Sequence, residues 1–260
     1  MKWIVCIKQV PNTSDIRIDR QTNNLLREGV PAIMNPYDLH ALETALDLQE
    51  KFGGRVVAIS MGPPSAEECL RDALAMGADE GILLSDPAFR GSDTLATSYT
   101  LAAAIRQLQP FALVICGKQA VDGDTAQVGP ELAEWLGIPQ LTSVDRVILE
   151  GNEIRAWREQ EGGHLEVHAS LPALVTVTKN INEPRLPTIK GRMAANRAHV
   201  TVWTKNDIMV YQERVGLAGS PTQVRKVFYP DHSRRGQIRQ GGPQDLSDWL
   251  VSILTQQGMS

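Results

Sequence analysis

Residues Gly117–Pro130 read G-K-Q-A-V-D-G-D-T-A-Q-V-G-P, a stretch rich in backbone amides, small residues and carboxylates. The apolar run Phe111–Cys116 before it has the length and composition of a buried strand, and Glu131–Leu136 after it reads as a helix. The stretch therefore lies where a strand ends and a helix begins, and in open parallel α/β sheets ligands bind at that edge. Gly117, Gly123 and Gly129 are expected to let the backbone turn tightly and approach a ligand. Free N–H groups around Thr125–Gln127 at a helix start suit a phosphate. The glycine spacing matches neither a Walker loop nor a G-x-G-x-x-G turn. The competing reading is an ordinary strand-to-helix loop with Asp124 or Thr125 as the N-cap.

The elements that must position this stretch alternate along the first two thirds of the chain. Strands are expected at Trp3–Ile7, Arg55–Ser60, Gly81–Ser85 and Phe111–Cys116. Helices are expected at Pro36–Lys51, Ser65–Met76, Asp93–Leu108 and Ala126–Leu136. Short, nearly continuous apolar strands alternating with helices argue a parallel sheet covered on both faces. Leu39, Leu42, Ala45, Leu46 and Leu48 form the apolar stripe of the first helix, and Asn35-Pro36 reads as its N-cap and first position. Ser65 and Glu68 fit a capping box. Asn12–Val30 is a polar connection in which Ile16–Ile18 and Leu25-Leu26 could pair. From Ser143 the pattern turns antiparallel, with strands Val144–Leu149, Ile154–Arg158 and His164–Ala169 joined by Gly-Asn and Gly-Gly turns. Leu174–Thr178 reads as another buried strand. Pro187–Arg197 reads as a basic surface loop. Gly216–Pro243 reads as an extended arm that wraps a partner, ending in a helix over Leu246–Leu254.

Composition bounds the function. The 260 residues hold 26 basic and 30 acidic side chains, which gives no nucleic-acid footprint. The cysteines Cys6, Cys69 and Cys116 show no C-x-x-C spacing, the pattern of a reduced, cytoplasmic protein. No apolar run is long enough for a transmembrane segment, and the first strand is too short for an export signal. His164 and His168 share a strand face about 13–14 Å apart, too far for one metal, and no Ser-His-Asp arrangement or nucleophile elbow is present. No metal site and no side-chain catalyst is expected.

Five segments, in this order and spanning nearly the whole chain, then carry a resemblance: Val5–Pro11, Met34–Asp38, Ala73–Asp79, Gly117–Asp124 and Asn182–Arg185. The chain resembles the β subunit of electron-transfer flavoproteins. The resemblance implies an α/β fold: a parallel-sheet, Rossmann-like adenine-nucleotide-binding domain over residues 1–185 with an antiparallel hairpin extension. It also implies a partner-docking loop and C-terminal arm over 186–260 that wraps an α subunit. The family has two types, one holding structural AMP in this subunit and one holding a complete FAD that takes electrons from NADH and bifurcates them. Gly91–Ser98, Asp122–Pro130 and Gly216–Thr222 resemble the FAD type, and the AMP type usually has Asn where this chain has Ala126.

The resemblance places the nucleotide against Cys6, Asn35, Met61 and Gly62, and against Gly117, Lys118, Gln119, Val121, Asp122, Gly123, Asp124, Thr125, Ala126, Gln127 and Val128. Cys6 and Met61 are polarisable enough to pack on an adenine ring. Asp93, Thr94, Thr97 and Ser98 are implied flavin contacts, the alternative being a helix cap with its hydroxyls bonded to the backbone. Arg158 and Glu159 are implied at the α-subunit surface, where an exposed pair is worth about 0–1 kcal/mol. Ile189, Lys190, Arg192 and Met193, with Arg197 nearby, are implied to dock a partner of the acyl-CoA dehydrogenase type. Ferredoxin or flavodoxin is the implied low-potential acceptor of the bifurcating type. The rival function is a scaffold subunit holding AMP.

Overall fold

The structure is a computed structural model and describes residues 1–12, 31–224, 236, 238–256 and 258, with the backbone of 17–18 and 25–26. It divides into two compact units, Met1–Arg225 and Lys226–Ser260. The second contains an amphipathic helix, Pro243–Gln256, and Arg239 ahead of it lies over the helix's Trp249 ring.

The first unit begins with β1 (Lys2–Cys6), β2 (Gln9–Pro11), β3 (Arg17–Ile18), β4 (Leu25–Leu26) and β5 (Ala32–Met34). There follow α1 (Pro36–Phe52), β6 (Arg55–Met61), α2 (Glu67–Met76), β7 (Glu80–Leu84), α3 (Thr94–Arg106), β8 (Leu113–Gly117) and α4 (Val128–Leu136). The rest is β9 (Gln140–Glu150), β10 (Glu153–Gln160), β11 (Gly163–Ser170), β12 (Ala173–Val177), α5 (Ile189–Ala195) and β13 (Thr201–Trp203), and the helix of the second unit is α6. The large sheet runs β11-β10-β9-β12-β8-β1-β6-β7-β13. Its strands are parallel from β13 to β9, and β10 and β11 close it antiparallel.

Side-chain alternation in the strands builds two cores, one on each face. Trp3 and Val5 of the first strand, with Ile7 just beyond it, pack with α1 and α2 through Leu42, Leu46 and Leu70. Ile4 and Cys6 point the other way, toward α3 and α4 and the residues Leu101, Ile105 and Leu132. The stripe expected on α1 is the buried one, with Leu39 partly covered. Leu25–Leu26 pairs with Arg17–Ile18, as the short hydrophobic pairs foretold, Ile16 lying outside the described residues.

Three expectations are corrected, and one strand went unread. Ser65 and Glu68 make no capping box. A short 3-10 turn, Pro64–Ala66, leads into α2, and the Ser65 hydroxyl instead donates to the Gln9 side chain at 3.1 Å. The Pro187–Arg197 loop holds a helix, α5, capped by Thr188, whose hydroxyl oxygen accepts from Gly191 N–H at 2.9 Å. It packs on α2, close enough that a Cβ at Gly191 would lie 2.4 Å from the Ala75 carbonyl oxygen. β9 starts at Gln140, earlier than its alternation showed, because its first half pairs parallel with β12 and its second half antiparallel with β10. The β13 edge strand carried no signal in the sequence.

Asn182 and Arg185 anchor the chain between β12 and α5 onto α1. Asn182 donates to the His40 carbonyl and to the Thr44 hydroxyl oxygen at 3.1 and 2.9 Å. Arg185 grips the buried Glu43 carboxylate through its Nε and Nη2 at 2.9–3.0 Å and reaches Glu50 at 2.5 Å. A bidentate guanidinium of this kind fixes direction as well as position.

Candidate functional site

β1 lies in the middle of the parallel sheet. The chain leaves it for β6 and β7 on one side and returns to β8 on the other. The loops beyond Cys6 and Gly117 therefore leave toward opposite faces of the sheet, and the crevice expected between the carboxyl ends of β1 and β8 at such a switch point is where open α/β sheets take ligands.

Two side chains from the turn into α1 hold the far wall of that crevice. Asn35 is 1% exposed and stands at the N-cap position, but its side chain does not cap. Its amide donates to the Gln119 carbonyl at 2.9 Å and its carbonyl oxygen accepts from Val121 N–H at 3.2 Å. Asp38 is also buried and accepts from Lys8 N–H at 2.8 Å. Burial pushes its carboxyl up to about 7, against hydrogen bonds from Asn35, Lys8 and Gly117 and the charge of Lys8. Gly117 makes this closeness possible, because a Cβ there would sit 2.3 Å from an Asp38 oxygen and 2.6 Å from Tyr37 Cβ. Gly129 likewise passes Thr176, 2.4 Å from where its Cβ would be. These two glycines let the chain approach its own protein closely. Gly123 needs no such room, since a Cβ would meet nothing within 4 Å.

Within the loop, Gly123 and Asp124 N–H groups both donate to the Ala120 carbonyl, at 3.2 and 2.8 Å, and the Gln119 amide bonds Asp124. The left-handed positions fall on Asp124 and Ala126, both at φ 55. Asp tolerates that conformation and Ala does so at a cost of about 1–2 kcal/mol. α4 starts at Val128, and its N-cap Gln127 makes no side-chain capping bond. Neither Asp124 nor Thr125 is the cap. The backbone N–H groups of Thr125, Ala126 and Gln127 consequently have no acceptor among the described residues. With the positive end of the α4 dipole behind them they can take an anion. Lys118 is half-buried in the loop without an ion-pair partner among the described residues, and Lys8 pairs with Asp122 at 2.7 Å.

Cys6, Met61 and Gly62 close the floor. Cys6 is paired in register with Cys116, whose thiol is pushed up first by the neighbouring Cys6 and then by burial. Gly62 N–H donates to the Leu84 carbonyl at 3.1 Å. The structure places Cys6, Met61 and Gly62 and the Gly117–Val128 loop at the carboxyl ends of β1, β6 and β8. It adds Lys8, Tyr37 and Asp38, whose signal was their place inside the segments Val5–Pro11 and Met34–Asp38.

The second group, Asp93–Ser98, lies at the start of α3 and is already bonded. One Asp93 oxygen accepts from Ala96 N–H at 3.1 Å as a helix cap, and the other accepts from Thr222 N–H at 2.9 Å. Asp93 N–H donates to Ser220 Oγ at 2.8 Å, so Gly216–Thr222 folds over this helix start. The Thr94 hydroxyl donates to Glu131 of α4 at 3.1 Å, and the Ser98 hydroxyl donates to the Leu95 backbone carbonyl at 2.9 Å, with Glu131 a longer second acceptor at 3.3 Å. Burial raises the Glu131 carboxyl, the two hydroxyls oppose that, and Asp93 adds to it. The Thr97 hydroxyl makes no hydrogen bond among the described residues. Glu131 had no sequence signal beyond helical spacing.

The remaining residues lie elsewhere. Glu159 of β10 accepts from the Thr178 hydroxyl and the Asn180 amide at 3.0 and 2.5 Å, while Arg158 is exposed. Ile189 and Met193 are 84% and 55% exposed on α5, beside Lys190, Ala194 and Arg197, and Arg192 is ion-paired with Asp72 of α2. His164 pairs with Asp145 and His168 with Glu166, and no cluster able to hold a metal occurs among the described residues. No described helix is long and apolar enough to cross a membrane.

Residues 22–208 match the family described as the electron transfer flavoprotein domain. Electron transfer flavoprotein subunit beta of Clostridium acetobutylicum is 45% identical over 257 residues, 99% of both chains. The subunit of that name from Thermoanaerobacterium thermosaccharolyticum is 48% identical over 98% of both. Caffeyl-CoA reductase-Etf complex subunit CarD of Acetobacterium woodii is 45% identical, again over 98% of both. By the family match and these full-length likenesses, the chain belongs to the electron-transfer flavoprotein family as a β subunit.

Proposed function

We propose that this β subunit, in a heterodimer with its α subunit, holds FAD in the β1–β8 crevice and passes electrons from NADH to two acceptors. One acceptor is the α-subunit FAD, which serves a dehydrogenase of the acyl-CoA type, and the other is a low-potential carrier such as ferredoxin or flavodoxin. The observation that carries the reading is the Gly117–Gln127 loop, pinned from outside by Asn35 and Asp38 while its Thr125–Gln127 N–H groups stay uncommitted. That arrangement fits a diphosphate. The name of the Acetobacterium woodii relative joins it to a caffeyl-CoA reductase, which supports a partner acting on CoA thioesters.

When bound, FAD supplies hydride acceptance and one-electron donation. The protein's residues bind and orient. Thr125, Ala126 and Gln127 N–H groups hold phosphate oxygens, and Lys118 adds charge. Cys6 and Met61 offer polarisable surface to the adenine. Asn35 acts through the loop, since its amide is bonded to Gln119 and Val121. Thr97 and, by exchange with Glu131, Thr94 offer hydroxyls to the ring system, while Ser98 is buried beneath them. Ile189 and Met193 present apolar anchors to the dehydrogenase, with Lys190 and Arg197 steering it.

One observation favours a second reading, structural AMP: the Thr94 and Ser98 hydroxyls are already taken, by Glu131 and by the Leu95 carbonyl. Denaturing the co-purified heterodimer and counting nucleotides separates the two. Two FAD and no AMP per dimer support the proposal, whereas one FAD and one AMP reduce this subunit to a scaffold.

A further inference from the structure

The Lys8 ammonium meets both oxygens of Asp122, at 2.7 and 2.8 Å, across 114 residues of sequence. Lys8 follows β1 and Asp122 sits in the loop after β8, so the pair bridges the two lips of the crevice. Deeper in, the same lips are tied by buried groups: Asn35 to Gln119 and Val121, and Asp38 to the backbone of both Lys8 and Gly117. The ties thus grade from buried at the root to exposed at the mouth, where the side chains of Lys8 and Asp122 are 48% and 32% exposed. Buried hydrogen bonds are costly to leave unmade, while an exposed ion pair is weak and screened by salt. Only the outer tie opens easily.

We propose that Lys8–Asp122 is a latch across the crevice mouth that sets how fast the bound adenine nucleotide leaves, with Asn35 and Asp38 as the fixed hinge. The latch rests on the nucleotide reading above. Lys8 is then a positioning residue whose charge serves the opposite lip rather than the ligand's phosphate. A charge reversal of both partners should preserve its action, which no direct phosphate contact would permit.

The test uses the α–β heterodimer loaded with labelled AMP and, in parallel, labelled FAD, whose shared part is the adenylate. Retention by the wild type is measured first, then release into excess unlabelled nucleotide at low and high salt. Lys8→Met and Asp122→Asn should each release label about two- to fivefold faster at low salt, the range of one exposed pair. High salt should bring the wild type up to their rate, and the double variant Lys8→Glu with Asp122→Lys should restore slow release. Single variants that release at the wild-type rate overturn the latch. So do faster single variants that the double reversal fails to rescue, because Lys8 then acts on the ligand itself. A wild type that retains neither label overturns the nucleotide reading and the latch with it.

Discussion

Two loops rise from the carboxyl edge of the same sheet and are held in opposite ways. The Gly117–Gln127 loop is fixed largely by side chains foreign to it, Asn35 and Asp38, which reach across from the start of α1. The start of α3, with Gly216–Thr222 over it, is fixed by functional groups bonded to one another: Asp93, Ser220, Thr94, Ser98 and Glu131. Fixing from outside spares the loop's own donors, so it takes an anion without breaking a bond. Mutual bonding consumes hydroxyls, so the second region takes a ligand only by exchange. A buried polar group must be satisfied by something, and the partner chosen decides what remains for a ligand.

The sharpest way to break this comparison is Gly117→Ala. The new Cβ meets Asp38 and Tyr37 at 2.3 and 2.6 Å. Forced overpacking should cost about 3 kcal/mol and strip the nucleotide from the heterodimer. Denaturant unfolding and nucleotide content read both, and a variant that keeps its nucleotide would show that the Gly117–Asp38 closeness does not shape the site.

Next in size is Asn35→Ala, which removes both ties to the loop. A loss of about 2 kcal/mol is expected from the groups left unpaired, with nucleotide affinity falling more than tenfold. Unchanged affinity would mean that the loop holds its shape unaided.

Asp38→Asn sharpens the same side of the comparison through pH. The folded carboxyl holds its proton up to about 7, against 3.8 as its ordinary value. The folded protein therefore binds more protons than the unfolded chain between those values. Its contribution is full below about 4 and is lost as pH rises to about 7, with a slope of at most about 1.4 kcal/mol per pH unit. The Asn variant should lack that downward slope, measured by urea midpoints from pH 4 to 8. Parallel slopes in variant and wild type would remove Asp38 from the account.

The smallest change in stability is expected in the second region. Thr94→Val with Thr97→Val should cost under about 1 kcal/mol, since one exposed-side hydrogen bond to Glu131 is lost. Yet it should lower the FAD count of the heterodimer from two toward one. Unchanged FAD content would free these hydroxyls of any flavin role and leave the Asp93 region purely structural.

The sequence by itself determined the strand–helix alternation, the two-faced burial of the parallel strands and the edge at which Gly117–Gln127 would stand. Apolar periodicity and helix boundaries are local, and they survive tertiary folding. It also carried the family resemblance, in segments such as Asn182–Arg185 whose purpose was invisible until Arg185 was seen gripping Glu43 on α1. Only the tertiary structure decided that Asn35 spends its amide on a loop 84 residues away instead of on its own helix. Only there did burial raise Asp38, Glu131 take the hydroxyl of Thr94, and the left-handed turns fall on Asp124 and Ala126 while Gly123 stayed unneeded. The reason is physical. A polar side chain bonds whichever donor or acceptor the packed sheet brings within reach, and that choice is set by strand order rather than by neighbours in the chain.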